Sequence, residues 1–353
     1  MNFDIAIKTG TPILLMGSPG VGKTSWVQAN AKKHGLHCET VLASIREPAD
    51  ISGLPFIKDG AVEFSPPRWA KNLVENGGGV LFFDEITTAP PAVQASLLRV
   101  VLDRVVGDLQ LPKNTVIIAA ANPADEAAGG WELSLPLSNR FAHFNFNLDV
   151  MEWASNFAFY WGNPPSLGQG NSIVKESTWA TERSFISSFI QRNPTALLQV
   201  PKDDTTKAWP SPRSWDNASR MIAASISSGD SFDDMIEYTK ACVGEGRALE
   251  YISWRRNQDL PLPEEYFKNT EKELPEKHDV LYMLSNSIVS YVANNFNNEN
   301  YIKAWRVIER IVESRSLDTA AVAGRQLMRL HPDGTTTPKQ SRALTDLFKE
   351  AIS

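Results

Sequence analysis

The chain has 353 residues, 42% of them hydrophobic and 22% charged, which allows two domains with sizeable cores and excludes a disordered tail. A formal net charge of −6 argues against a general nucleic-acid binder, since phosphate neutralisation needs clustered Lys and Arg. No apolar run approaches the ~20 residues that span a bilayer, and the opening Met1-Asn2-Phe3-Asp4 lacks the regions of a secretory signal. Cys38 and Cys242 form no disulfide framework, so reducing cytoplasm is the expected location.

In chain order, short apolar runs alternate with helical patterns over residues 12–147. Residues 13–16 read as a strand. Residues 24–34 read as a helix ended by Gly35, a residue suited to the position past a helix end. A strand at 39–42 follows. Residues 53–64 hold two short strands around Asp59-Gly60, a strong hairpin signal. Another strand is expected at 80–83. The helix at 91–101 has proline in its first turn and sets Val93, Leu97, Leu98 and Val101 on one face. A second hairpin is expected at 104–111 around Gly107-Asp108, then strands at 115–120 and 141–146. Such alternation implies an α/β fold with a mostly parallel sheet.

After about residue 150 the β-type runs stop. Helices are expected at 150–161, 214–228, 232–243, 280–293, 301–314 and 318–330. The stretch 259–275, rich in proline and charge, reads as a linker. A loop at 331–340 precedes a terminal helix.

The strongest chemical signal is Gly17-Ser18-Pro19-Gly20-Val21-Gly22-Lys23-Thr24, which fits G-x-x-x-x-G-K-[ST]. Its glycines allow a curvature that points successive backbone N–H groups at phosphate oxygens. The helix that follows aims its positive end at the same anion. Lys23 is expected to reach the β- and γ-phosphates of a nucleotide, and Thr24 to ligate Mg²⁺. The second signal is Val80-Leu81-Phe82-Phe83-Asp84-Glu85, an apolar strand delivering an acidic pair to the sheet edge where doubly wound folds bind ligands. Asp84 is expected to hold Mg²⁺, directly or through water, and Glu85 to act as general base toward water. No [NT]-K-x-D guanine motif occurs, which disfavours GTP.

With these motifs in order, the sequence resembles the AAA+ ATPases, specifically their MoxR-type branch. Residues 81–99 are similar to that branch's acidic-pair segment and following helix. Residues 115–123 resemble its polar sensor strand, with Asn122 at the sensor position. Leu137-Ser138-Asn139-Arg140-Phe141 resembles its arginine-finger segment, with Asn139 where many members have Asp. Ser211-Pro212-Arg213 resembles the second sensor of its lid.

The resemblance implies an AAA+ P-loop αβα core at 1–150, an α-helical lid at 151–270 and a C-terminal helical extension at 271–353. It implies Mg²⁺-dependent ATP hydrolysis in a homo-oligomeric ring of six subunits. The implied role is a chaperone-like remodeller, often paired with a protein carrying a von Willebrand factor A domain. A finger acting from a neighbouring subunit requires head-to-tail contacts, which close into rings or run into helices. The two hairpins are similar to elements that face the central pore in related rings. Two alternatives stay open: a nucleic-acid motor or loader on the same core, and a non-catalytic nucleotide-gated scaffold. The acidic charge counts against the first, and Glu85 with Arg140 against the second. His34, His37 and Cys38 lack a fourth zinc ligand nearby and read as a helix end running into a strand.

Overall fold

A computed structural model describes residues 3–330 apart from 124–125, 127–129, 163, 202–205, 257–262, 295 and 315–316. The expected terminal helix lies outside the described residues. The chain divides into two compact units, residues 1–148 with 200–205 and residues 149–199 with 206–353.

The first unit runs α1 (Phe3–Thr9), β1 (Ile13–Met16), α2 (Lys23–Lys33), β2 (Cys38–Leu42), α3 (Pro48–Ser52), β3 (Leu54–Lys58), β4 (Ala61–Ser65), α4 (Arg68–Glu75), β5 (Val80–Asp84) and α5 (Pro91–Asp103). It continues through β6 (Val105–Val106), β7 (Leu109–Gln110), β8 (Val116–Ala121), α6 (Leu135–Ser138) and β9 (Ala142–Asn145). Five strands form one parallel sheet in the order β2-β5-β8-β1-β9. β3–β4 and β6–β7 are separate antiparallel hairpins, as the sequence predicts.

The central strands are buried on both faces, which is why they read as unbroken apolar runs rather than alternating ones. Their side chains divide by the two-residue period of a strand. Leu14, Leu81, Phe83, Ile117 and Ala119 join a core with Trp69, Leu73, Val93 and Leu97. Ile13, Leu15, Val80, Phe82, Ile118 and Ala120 join a second core with Phe3, Ala6, Val27 and Ala31. The sheet is thus sandwiched between two helical layers. Parallel strands send their chain exits to one edge, so the segments after β1, β5 and β8 emerge side by side.

The second unit is helical: α7 (Val150–Ala158), α8 (Glu176–Arg192), α9 (Pro212–Ser228), α10 (Phe232–Val243), α11 (Glu245–Arg256), α12 (Pro263–Lys268), α13 (His278–Asn294), α14 (Asn298–Glu313) and α15 (Leu317–Arg329). Ser211 and Ser214 form a reciprocal capping box at the start of α9, and Ser231 with Asp234 does the same for α10. Each box satisfies two N–H groups that the helix leaves free.

The linker expected at 259–275 needs correction. Its described part contains α12, whose Tyr266 and Phe267 are buried in a core with Leu284, Ile288, Trp305 and Ile308. Proline suits the first turn of a helix, so the proline and charge that suggested a linker mark a short, anchored helix instead. α8 and α11 were not anticipated. α8 is buried nearly all round although it carries Glu182, Arg183 and six serines and threonines, and the charges of Glu182 and Arg183 are paired rather than solvated. Glu182 accepts from Arg255 Nε at 3.1 Å and Nη2 at 2.5 Å, while Arg183 donates to Glu176 at 2.6 Å. Burial pushes the Glu182 carboxyl up, against the opposing pull of Arg255.

Candidate nucleotide-binding site

The phosphate-type loop leaves β1 at Gly17, whose N–H donates to Ala121 O on β8 at 3.2 Å. A β-carbon on Gly17 would lie 2.9 Å from Phe146 O, so only glycine fits this approach. Gly20 and Gly22 take φ of 79° and 98°, the left-handed region that glycine enters without steric cost. Among the described residues, no acceptor is paired with the backbone N–H of Ser18, Gly20, Val21 or Gly22. These donors lie on a curved loop ahead of the α2 N-terminus, the chemistry that holds an anion.

Lys23 opens α2 and is only 7% exposed. Its Nζ donates to Gly17 O at 2.5 Å, Ser18 O at 3.0 Å and Asn122 Oδ1 at 2.8 Å. A buried ammonium needs acceptors for its three protons, and here two are carbonyls of the loop itself. Thr24 Oγ1 donates to Asp84 Oδ2 at 2.6 Å. A hydroxyl joined to a carboxylate supplies the hard oxygen donors that Mg²⁺ takes, so the residues present fit that ion.

Glu85 follows β5 in the left-handed region, at φ 54°. Its N–H donates to Asp84 Oδ1 at 3.0 Å, and its carbonyl accepts from Thr88 Oγ1 at 2.7 Å. Its carboxylate accepts from Ser44 Oγ at 3.0 Å. Ser44 lies on the 3-10 turn that ends β2, and the β2–β5 pairing sets Leu42 opposite Asp84. Ser44 was missed by sequence reasoning. The available signal was the expected neighbouring strand, whose end must come close to the acidic pair.

The structure therefore gathers Lys23, Thr24, Asp84, Glu85 and Asn122 at the exits of β1, β5 and β8. Arg140 stands apart from that cluster. It follows α6, is half-buried, and its Nη1 donates to Pro136 O at 2.6 Å. Its Nε has no hydrogen-bond partner among the described residues. Arg213 is the second residue of α9, exposed, and belongs to the helical unit.

Comparison with known proteins finds one family profile and several solved structures. The family profile of the AAA domain (dynein-related subfamily) matches residues 12–141, from just before β1 to just before β9. Several solved structures are similar over most of the chain. A Cytophaga hutchinsonii protein, provisionally described as an ATPase, is 21% identical, covering 68% of this chain and 79% of its own, with TM-score 0.33. The Holliday junction branch migration motor RuvB of Thermotoga maritima is 17% identical, covering 79% and 77%, with TM-score 0.37. NtrX of Brucella abortus is 16% identical, covering 93% and 67%, with TM-score 0.38. Among the described residues, no helix is long and apolar enough to cross a membrane. Residues 12–141 thus match the AAA domain (dynein-related subfamily), and the five-stranded parallel sheet with helices on both faces has the AAA+ P-loop arrangement.

Proposed function

We propose that the protein is an ATP-hydrolysing ring motor of MoxR type that remodels a protein partner. The observation that carries the reading is the paired contact at the sheet edge, Lys23 to Asn122 and Thr24 to Asp84. It brings a phosphate-binding cation, two hard oxygen ligands and a polar sensor within one hydrogen-bonded cluster.

In this reading the loop from Gly17 to Gly22 cradles the nucleotide phosphates, and Lys23 turns its charge to the β- and γ-phosphates. Thr24 and Asp84 hold Mg²⁺, which neutralises charge on the phosphate oxygens when bound. Glu85 accepts the proton of the attacking water, and Asn122 orients that water. Arg140 serves the nucleotide of a neighbouring subunit, where a finger of this kind is worth about 10³–10⁵ in rate. Arg213, on a lid helix, serves its own.

The ring is a hexamer and its partner a protein with a von Willebrand factor A domain, both as implied by the resemblance. Leu54, Phe56, Ile57 and Val62 on the β3–β4 hairpin are exposed, and this supports client contact at a pore-side hairpin. The test is a pair of variants. Glu85→Gln keeps its shape but accepts no proton, so ATP still binds while hydrolysis falls about 10²–10⁴-fold. Lys23→Ala weakens nucleotide binding itself. Unchanged nucleotide affinity in folded Lys23→Ala, measured with a fluorescent ATP analogue, contradicts the assignment.

A further inference from the structure

Arg104 ends α5 in the left-handed region, at φ 57°, which crowds its β-carbon against the following carbonyl. Its side chain turns back across the base of the sheet. Nη2 donates to Gly10 O at 2.7 Å, and Nη1 donates to Lys113 O at 3.2 Å and to Thr115 O. Gly10 lies in the turn that leads into β1, and a β-carbon there would meet Arg104 Nη2 at 3.3 Å. Thr115 is the residue before β8. One guanidinium therefore ties together the roots of β1 and β8, which pair from Ile13 opposite Ile118 to Met16 opposite Ala121. The far ends of these same strands carry Gly17 and Asn122.

The main chain of Arg104 founds the β6–β7 hairpin. Its carbonyl accepts from Leu111 N at 2.8 Å and from Gln110 Nε2 at 3.0 Å. At the hairpin tip, Asp108 Oδ2 accepts from Phe64 N on β4 at 3.0 Å. Beside it, a β-carbon on Gly107 would come within 2.7 Å of Phe64 Cβ and 2.8 Å of Ser52 O. The two hairpins are thus docked on each other, and Arg104 joins that pair to the sheet.

We propose that Arg104 is a positioning residue for the nucleotide site, coupling the β6–β7 hairpin to the register of β1 against β8 and so to the Lys23–Asn122 contact. The coupling is physically direct. A strand advances ~3.3 Å per residue and its pairing is stiff along its length. A hydrogen bond such as Lys23 to Asn122 tolerates only a few tenths of an ångström. A displacement at the roots is therefore felt at the exits. Lysine is a poor substitute, because a point charge does not reproduce the planar fork that reaches three carbonyls. The proposal rests on the reading of this site as nucleotide-binding.

The test is hydrogen exchange by mass spectrometry on the ligand-free full chain, with steady-state hydrolysis alongside. In Arg104→Gln, exchange speeds up at the root of β8 and also at its exit and in residues 17–24. On folded protein, kcat falls about 2- to 30-fold, the range of a remote coupling, while KM changes less. Arg104→Lys lies between this variant and wild type, and carries the test if Arg104→Gln does not fold. Asp108→Ala speeds exchange in residues 17–24 on the wild-type background and adds nothing on the Arg104→Gln background. Exchange changes confined to residue 10 and residues 113–116 overturn the proposal. Because the exchange readout needs no nucleotide, absence of hydrolysis by the wild type defeats the functional reading and leaves this test intact.

Discussion

Glu85 is fixed by its neighbours at both main-chain groups and at its carboxylate. Asp84 takes its N–H, Thr88 holds its carbonyl, and Ser44 donates to its carboxylate. A left-handed backbone at a bulky residue persists only when its surroundings over-determine it, and three such contacts do so. Ser44 restrains the carboxylate, whose hydrogen bond to its hydroxyl must break before the carboxylate can turn to a water. We therefore expect Ser44→Ala to raise basal hydrolysis by a factor of about 2–10, the equivalent of one hydrogen bond of 0.5–1.5 kcal/mol. A steady-state assay with excess Mg-ATP reads it, and a fall in turnover shows that the serine assists the base rather than restrains it. The phosphate loop and acidic pair were legible in the sequence because each is contiguous and its chemistry is written in adjacent residues. Ser44 was not, since it meets Glu85 across 41 positions only through the β2–β5 register. The Lys23–Asn122 bond, 99 positions apart, was hidden for the same reason.

At the scale of elements, the three central sheet strands were legible because double-sided burial writes itself as apolar runs such as Val80–Asp84 and Val116–Ala121. α8 shows the limit of that signal. Its buried face includes Glu182 and Arg183, whose partners Arg255 and Glu176 cancel the charge locally, so hydrophobic periodicity is weak where packing is tight. The Glu182–Arg255 pair lies beside a buried aromatic group in which Tyr251 packs on Trp215 and Phe189. Removing one partner leaves the other charged and buried, which typically costs about 3–5 kcal/mol. Arg255→Ala should lower unfolding stability by that amount in urea titration. A loss below about 1 kcal/mol, the scale of an exposed pair, contradicts the burial of this ion pair. α12 was misread as a linker because its two buried aromatics, Tyr266 and Phe267, are too few to set up a period beside the surrounding charge.

For the whole molecule, the central claim is a catalytic site shared between neighbours in a ring. Arg140 makes its side-chain hydrogen bond to Pro136 O and none to the Lys23–Asp84 cluster among the described residues. An arginine that serves a neighbour's nucleotide has no reason to contact its own loop. Nucleotide bound at such a junction stabilises the assembly by mass action, and light scattering with ATP and Mg²⁺ should show the larger species. The most direct measurement mixes inactive subunits. On the proposed reading, Lys23→Ala subunits should bind ATP poorly but keep Arg140, while Arg140→Ala subunits should keep a complete pocket and lack the finger. Mixed, the two should regain ATPase activity that neither shows alone, whereas Arg213→Ala mixed with Lys23→Ala should regain none. A mixture of Lys23→Ala and Arg140→Ala that assembles yet stays inactive, or rescue by Arg213→Ala in place of Arg140→Ala, would contradict the account.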